Sequence, residues 1–284
     1  MQGTPDWLKE QIRSYYDATT KKSYLEAWSM EAIALHYGLA DEKTASLTEA
    51  LENNNRFLAD ALRLQKGMRV FDAGCGVGGT SIWMAAQRGV DAVGVTLDPG
   101  QVTLGTQFAK ERGVAARVQL LTMDYMATTF PEASFDAAFN LDSLCHCIDV
   151  PAYAKHLLFL LKDDAPYGCL DFYVGRADDD LVKQTTDGWP MPNWQPVEAV
   201  AAAFRGAGFV DVTVTDLTPQ VKLSAEQILA AASNRLLLMK LDAAVGHPES
   251  ALFEGHVHGA IACSKGLLNG AITYGFVAAR RPPR

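Results

Sequence analysis

The residues with the most specific chemistry lie in one stretch of the chain, 69–83. A short apolar run there, Val70-Phe71, is followed by the acidic residue Asp72 and then by several glycines up to Gly79. Glycine lets the backbone turn sharply and leaves room for a ligand against the bare main chain. Because apolar residues resume after the glycines, the pattern predicts a strand, a tight turn and a helix, which is typical of nucleotide-binding crossovers.

Asp72 indicates which kind of nucleotide this turn would hold. Gly74, Gly76 and Gly79 also satisfy the dinucleotide fingerprint G-x-G-x-x-G. A carboxylate directly before the glycines attracts an ammonium group, whereas it repels an anionic pyrophosphate. We therefore favour a cofactor with a cationic amino-acid end over a nicotinamide dinucleotide.

The block Val70 to Gly79 closely resembles motif I of class I S-adenosylmethionine (SAM) methyltransferases. This resemblance implies that SAM is the cofactor. Together with the order of the elements, it predicts an α/β fold with a Rossmann-like sheet of seven mostly parallel strands, in which the last strand comes from the far end of the chain.

Three further stretches resemble a narrower group, the geranyl diphosphate, sterol and tocopherol C-methyltransferases. An N-terminal aromatic region is similar to that of the sterol and tocopherol enzymes, and the segment after the fourth strand is similar to that of the geranyl diphosphate and sterol enzymes. The C-terminal part is similar to geranyl diphosphate C-methyltransferases. The stretches are Tyr15–Asp17 with Trp28 and His36–Gly38, then Asn140–Ser143, and finally Val214–Pro219 with Thr273–Ala279.

Apolar periodicity and turn residues place the elements along the chain. Residues 5–62 predict helices, and we expect residues 1–62 to form an N-terminal helical lid over a core, 63–284. A long helical stretch at 223–243 lies before the last strand, so 219–269 predicts a helical insertion that caps the substrate. The predicted strands are 68–72, 92–97, 117–122, 135–140, 168–174, 212–217 and 271–279.

Ligands of open α/β sheets bind outside the carboxyl ends of the strands, so the cofactor contacts are expected there. The acid that often takes the ribose hydroxyls after the second strand is replaced by Thr96. Asp98 follows, and Asp98-Pro99 also predicts a helix N-terminus with Asp98 as its N-cap. Asp124, after the third strand, is expected to accept from the adenine amino group. The predicted SAM contacts are Tyr16, Asp72, Gly74, Gly76, Thr96, Leu97, Gln101, Asp124, Tyr125 and Asn140.

Asp142 follows the fourth strand. The resemblance implies an alkene carbon as methyl acceptor and a carboxylate in this segment as the base, and Asp142 holds that position where those families usually have glutamate. Attack by an alkene leaves a carbocation, which aromatic faces attract and from which a carboxylate removes a proton. The structural alternative is that Asp142 caps a helix beginning near Ser143.

His146 and Tyr16 complete the predicted catalytic group, with His146 as a second acid or base. The alternative for His146 and for the aromatic side chains is packing in the core, and for Arg235 it is a solvated surface charge. The predicted substrate contacts are Trp28, His36, Tyr37, Tyr173, Trp189 and Arg235.

We predict no resident metal. Cys145-His146-Cys147 does not have the pattern of a zinc site, because neighbours one and two apart do not share a helix face and no second ligand pair follows at zinc spacing. Magnesium is expected only with a diphosphate acceptor, where Asp178–Asp180 could hold the ion. A solvated loop is the alternative for that acidic run.

Composition limits the classes of partner. The chain has 284 residues and a net charge of −8, which argues against a nucleic-acid enzyme, since such enzymes carry a basic stripe. No apolar run approaches the length of a membrane span. Five cysteines without a disulfide framework are typical of a reducing cytosol. We therefore expect a cytoplasmic protein with a small-molecule substrate, and the sequence is compatible with a homo-oligomer.

The leading functional hypothesis is SAM-dependent C-methylation of the alkene of an isoprenoid, such as a prenyl diphosphate, with deprotonation by Asp142. One rival is O- or N-methylation of a small metabolite, with His146 or Asp142 as the base. The other rival is a SAM-binding protein without transferase activity, because a fold does not establish a function.

Overall fold

The computed structural model describes residues 3–22, 31–177 and 179–284. Strands and helices alternate through most of the chain after the second helix. The helices are α1 (Asp6–Lys22), α2 (Leu47–Ala61), α3 (Gly79–Arg88), α4 (Pro99–Glu111), α5 (Val150–Leu160), α6 (Asp180–Gly188), α7 (Val197–Ala207), α8 (Lys222–Ala244) and α9 (Ala251–Asn269). The strands are β1 (Arg69–Ala73), β2 (Asp91–Thr96), β3 (Val118–Thr122), β4 (Ala137–Leu141), β5 (Pro166–Val174), β6 (Val210–Asp216) and β7 (Ile272–Arg280).

The seven strands form one sheet in the order β3-β2-β1-β4-β5-β7-β6. Strands β1 to β5 pair in parallel with their neighbours, whereas β7 runs antiparallel to both β5 and β6. The last strand of the chain is thus inserted between β5 and β6. This arrangement confirms the predicted Rossmann-like, mostly parallel sheet of the class I methyltransferase type.

Strands β1 and β4 lie side by side at the centre of the sheet, where the strand order reverses. Residues 70–73 of β1 and 137–140 of β4 are buried, as expected for parallel strands that helices cover on both faces. Ligands of such sheets bind outside the carboxyl ends of the strands at this reversal. The sheet therefore brings the glycine turn after β1 next to the segment that follows β4.

The prediction of helices over residues 5–62 needs one correction, because residues 34–46 are not helical. Side chains from other elements bind the backbone N–H groups there, so a helix is not needed to satisfy those donors. Tyr37 N donates to Asp142 Oδ2, Gly38 N to Ser224 Oγ and Leu39 N to Asn54 Oδ1. That residues 1–62 act as a lid stays a prediction.

The insertion at 219–269 contains two helices that pack against each other, α8, which matches the helical stretch predicted at 223–243, and α9, which the sequence did not delimit. Three glycines within α9 weaken its helical signal, but they allow close packing. A Cβ on Gly259 would lie 2.5 Å from Nε1 of Trp189, and one on Gly266 would lie 2.5 Å from Ile272. Gly259 thus lets the indole ring of Trp189 lie directly against α9.

A substitution at Gly105, within α4, tests how closely that helix approaches the glycine turn. A Cβ at this position would lie 2.3 Å from the carbonyl oxygen of Val77 and 2.5 Å from the side chain of Leu120. We expect Gly105→Ala to lower the free energy of unfolding by about 1–3 kcal/mol, measured by urea denaturation, because overpacking outweighs the better helix propensity of alanine.

Gly206, within α7, is the matched control, because nothing lies within 4 Å of a Cβ added there. Gly206→Ala should stabilise the protein by up to about 1 kcal/mol. Stabilisation by both substitutions would contradict the close contact between α4 and the turn.

Candidate active site

A cavity of about 910 Å³ opens at the carboxyl ends of β1, β2 and β4. Every predicted cofactor residue except Asn140 lines it, namely Tyr16, Asp72, Gly74, Gly76, Thr96, Leu97, Gln101, Asp124 and Tyr125.

The glycine turn forms the floor of this cofactor cavity. Gly74, Gly76 and Gly78 adopt φ angles of +89°, +54° and +77°, which side chains with a Cβ rarely tolerate. A Cβ on Gly74 would also lie 2.6 Å from the side chain of Ser143. The turn therefore needs glycine both for its conformation and for its close approach to the segment after β4.

Asp72 provides the buried negative charge of the cavity. It accepts a hydrogen bond of 2.7 Å from Ser81 Oγ. Burial raises the pKa of Asp72 to about 7, because the ionised carboxylate loses its hydration. None of the described residues that line the cavity is Lys or Arg, so the ammonium group of a ligand is a fitting partner for this carboxylate.

Neutral polar groups on β2 and α4 also line the cavity. Thr96 Oγ1 donates to Gln101 Oε1 over 2.7 Å, and Gln101 Nε2 donates to Thr20 Oγ1 over 3.2 Å. Asp98 caps α4 by accepting from Gly100 N over 2.7 Å, which confirms the predicted cap, and it also lines the cavity. The buried acid Asp72 together with the hydrogen-bonding groups of β2 and α4 fits SAM, which carries an ammonium at one end and a nucleoside at the other.

Hydrogen bonds to Asp124 hold the N-terminal segment of the chain at this site. Its carboxylate accepts from Met126 N over 2.9 Å and from Thr4 N over 2.7 Å, and it also accepts from Thr4 Oγ1. The hydrogen bonds fix Asp124 at the cavity wall.

Asn140 needs a correction, because its buried side chain supports the cavity and does not line it. Its amide group donates to Ala73 O and Ser143 Oγ, at 2.8 and 2.9 Å. Its oxygen accepts from the hydroxyls of Tyr153 and Tyr167, at 2.7 and 2.8 Å. These four bonds occupy the side chain and hold the end of β4 against β1.

A second cavity of about 460 Å³ adjoins the first and is lined mostly by aromatic rings. Of the predicted substrate residues, His36, Tyr37 and Trp189 line it, whereas Tyr173 and Arg235 do not. Trp28 lies outside the described residues. The lining is Tyr15, Tyr16, Leu35, His36, Tyr37, Asp142, Cys145, His146, Phe172, Trp189 and His256.

Tyr173 and Arg235 have other surroundings. The buried hydroxyl of Tyr173 lies 3.6 Å from Cys169 Sγ. The guanidinium of Arg235 pairs with Glu249 at 2.8 Å and borders a separate cavity between α8 and α9. We call the second cavity the acceptor cavity. Neither Tyr173 nor Arg235 lines it.

Asp142 lies on the boundary and lines both cavities. Its carboxylate accepts from Tyr274 OH over 2.8 Å and from Tyr37 N over 3.1 Å. The short helical turn that follows has Ser143 at its N-cap position and no side-chain cap, so the alternative interpretation of Asp142 as a helix cap is wrong. Its φ of +47° is in the left-handed region, which Asp tolerates better than most residues.

Burial and a second buried carboxyl group set the protonation of Asp142. Loss of hydration raises the pKa of Asp142 well above its usual value, and the charge of Asp171 raises it further. The hydrogen bonds from Tyr274 and Tyr37 act in the opposite direction. Asp142 is therefore a stronger base than an exposed aspartate once it is ionised.

Tyr16 and His146 form a second polar pair on the same boundary. Nδ1 of His146 lies 2.7 Å from Pro190 O and Nε2 lies 2.8 Å from Tyr16 OH. A carbonyl oxygen only accepts, so Nδ1 carries the proton, and because burial lowers the pKa of His146 the ring is neutral. Tyr16 OH therefore donates to Nε2, and the pair can accept a proton from an acceptor molecule.

A family model described as mycolic acid cyclopropane synthetase matches residues 6–165, which is more than half of the chain. The chain belongs to this family. The matched region includes Tyr16, the glycine turn, Asp142 and His146. The family assignment confirms the prediction of a class I SAM-dependent methyltransferase.

Curated relatives of this family include sterol methyltransferases. The chain is 28% identical to the cycloartenol-C-24-methyltransferase of Arabidopsis thaliana over 215 residues, which cover 73% of this chain and 62% of that protein. The chain spans 45–62% of the length of the first sterol methyltransferases that it matches.

Solved structures share the fold over nearly the whole chain. A geranyl diphosphate C-methyltransferase from Streptomyces coelicolor, in complex with Mg²⁺, a substrate analogue and S-adenosyl-L-homocysteine, superimposes with a TM-score of 0.78 at 20% identity and 99% and 100% coverage. The [4+2]-cyclase SpnF superimposes with the same TM-score at 21% identity, with 97% of each chain covered. Proteins named for different reactions thus share this fold.

Within the described residues, 3–22, 31–177 and 179–284, no helix combines the length and apolar character needed to cross a membrane. The same residues contain no cluster of three or more His, Cys, Asp or Glu arranged to hold a metal ion.

The affinity for S-adenosylhomocysteine, the demethylated cofactor, should depend on pH through Asp72. The carboxyl group titrates near pH 7, so below that pH a proton competes with the ammonium of the ligand. Between about pH 5.5 and about pH 7 the dissociation constant should fall up to about tenfold per pH unit as pH rises, measured by calorimetry.

Two variants isolate the contribution of Asp72. Asp72→Asn should remove this pH dependence and weaken binding at neutral pH by about 2 kcal/mol or more. Ser81→Ala, which removes a donor that favours the ionised carboxylate, should move the profile to higher pH. An affinity that is the same at all these pH values in the unmodified protein would contradict the role of Asp72.

Proposed function

We propose that this chain is a SAM-dependent methyltransferase that methylates a carbon of an apolar isoprenoid alkene, with Asp142 as the base. The observation that carries the proposal is the position of Asp142, which lines both the cofactor cavity and an aromatic cavity. A carboxylate on that boundary can reach an acceptor at the point where the methyl group arrives.

The cofactor cavity supports SAM as the methyl donor. Asp72 would bind the ammonium group, and Thr96, Gln101 and Asp98 would face the nucleoside, with Tyr125 and Leu97 at the cavity wall. When bound, SAM supplies an electrophilic methyl group on a sulfonium. The positive charge of the sulfonium near Asp142 would lower the pKa of that carboxyl and favour its ionised form.

The aromatic walls support an acceptor that becomes cationic during the reaction. Tyr37 and Phe172 meet edge to face at 5.2 Å, and Phe172 and Trp189 are 5.9 Å apart. When the alkene forms its new bond to the methyl carbon, the neighbouring carbon becomes positive, and aromatic faces attract that charge by about 0.5–2 kcal/mol each. Asp142 then takes a proton from an adjacent carbon, and the electrons of that C–H bond restore the double bond.

The charges of the acceptor cavity favour an isoprenoid without a diphosphate. None of the described side chains that line it is Lys or Arg. A diphosphate is normally bound by charge-assisted hydrogen bonds from such side chains. We therefore propose a neutral acceptor and no requirement for Mg²⁺, although the related enzyme from Streptomyces coelicolor was solved with that ion.

A second candidate function is O- or N-methylation, and the Tyr16–His146 pair is the observation that favours it. Both side chains line both cavities, and the neutral imidazole can take a proton through Tyr16 from a hydroxyl or amino acceptor. The mostly apolar lining of the acceptor cavity favours the alkene over such a polar acceptor.

Asp142→Asn tests the proposal. It keeps the shape of the side chain and an oxygen that can accept from Tyr37 N or Tyr274 OH, but it removes the base. With labelled SAM and prenyl alcohols as acceptors, we expect kcat to fall by about 10²–10⁴, while the affinity for S-adenosylhomocysteine changes less than about threefold.

Two further variants serve as controls. Tyr274→Phe removes a donor that favours ionised Asp142, so the acidic limb of the kcat profile should move to higher pH without loss of cofactor affinity. His146→Asn should leave prenyl alcohol methylation largely intact. If Asp142→Asn retains turnover while His146→Asn abolishes it, the second candidate replaces the first.

A further inference from the structure

A third cavity of about 490 Å³ lies between α8 and α9, outside the two cavities described above. Its walls are mostly aliphatic, with Ile228 and Ala232 from α8 facing Val257 and Ala260 from α9. Arg235 borders it and is neutralised by its ion pair with Glu249. The cavity therefore suits hydrocarbon, and among the described residues that line it the one cation, Arg235, is paired.

We call this third cavity the helical cavity. His256 lies between it and the acceptor cavity, because the side chain lines both. Its ring stacks on Trp189 at 6.2 Å and 26°, and on Phe253 at 6.1 Å and 22°. Trp189 lines the acceptor cavity and Phe253 lines the helical cavity. The imidazole ring of His256 thus forms a partition between the acceptor cavity, which Trp189 lines, and the helical cavity, which Phe253 lines.

The partition is held in place from α1. Tyr15 OH lies 2.5 Å from Nδ1 of His256. Gly259 leaves room for the N–H edge of the Trp189 indole against α9, where Nε1 donates to His256 O over 3.2 Å. Burial lowers the pKa of His256 to about 4, so the partition is uncharged at neutral pH. A neutral aromatic partition can lie beside a hydrocarbon chain without the cost of a buried charge.

We propose that the acceptor is an elongated hydrocarbon whose reacting alkene lies beside Asp142 and whose distal part occupies the cavity between α8 and α9. His256 then sets the acceptor length beyond which the chain must enter the cavity between α8 and α9. This inference rests on the proposed function. It adds the class of acceptor, a chain longer than the acceptor cavity alone can hold, and it assigns His256 as a specificity residue.

Binding of straight-chain primary alcohols of graded length to the protein saturated with S-adenosylhomocysteine tests the proposal without turnover. Each buried methylene should tighten binding about fourfold. In the unmodified protein, binding should keep tightening with each added methylene even for alcohols longer than those that fill the acceptor cavity. Calorimetry measures each dissociation constant.

Ala232→Phe fills the helical cavity, and Ala230→Phe is the matched control, since Ala230 is on the same helix but does not line that cavity. Ala232→Phe should weaken the long alcohols at least about tenfold, the value of roughly two buried methylenes, and leave the short ones unchanged. Ala230→Phe should change neither. His256→Ala should instead tighten the long alcohols, because it removes the partition.

The outcomes separate this inference from the proposed function. Identical length profiles for Ala232→Phe and Ala230→Phe overturn the inference, even if prenyl alcohols are methylated. An equal loss for short and long alcohols in Ala232→Phe also overturns it, because the effect is then not confined to the cavity between α8 and α9. A length profile as expected, without methylation of any alkene, supports the inference and overturns the proposed function.

Discussion

One carboxylate, Asp142, links three parts of the chain that are far apart in sequence. Its position at the end of β4 is fixed by the sheet, and its two oxygens accept from Tyr37 in the N-terminal region and from Tyr274 in the last strand. The site between the two cavities exists only when all three parts are in place. A buried acid without these two donors would carry the full cost of desolvation, so the hydrogen bonds stabilise both the fold and the ionised form that the proposed chemistry needs.

The cofactor cavity depends on a constraint of another kind, the absence of side chains. Gly74 and Gly105 leave space that the segment after β4 and the turn after β1 occupy. Asp72, on the strand that leads into this turn, is buried, and its burial raises its pKa although the hydrogen bond from Ser81 acts in the opposite direction. A tightly packed glycine turn and a buried acid thus lie together at the point where the strand order reverses.

Local patterns in the sequence predicted this half of the site well. The acid before the glycines and the cap at Asp98 are each specified by a few neighbouring residues, whereas the inserted last strand was predicted from the family resemblance and the order of the elements. The acceptor cavity was harder to predict, because alternate residues of a strand face opposite sides and the sequence does not say which side is the cavity. On β5 we predicted Tyr173, whereas its neighbour Phe172 lines the cavity. Tyr15 and His256 were missed because they are 241 positions apart and meet only in the folded chain.

The fold alone does not decide the reaction, since proteins named for different reactions share it. The most direct measurement is therefore the position of the transferred group in the product, determined by nuclear magnetic resonance after incubation with methyl-labelled SAM and a prenyl alcohol. We predict the label on a carbon of the former alkene. Label on the hydroxyl oxygen, as a methyl ether, would contradict a site built around a carboxylate base and aromatic walls.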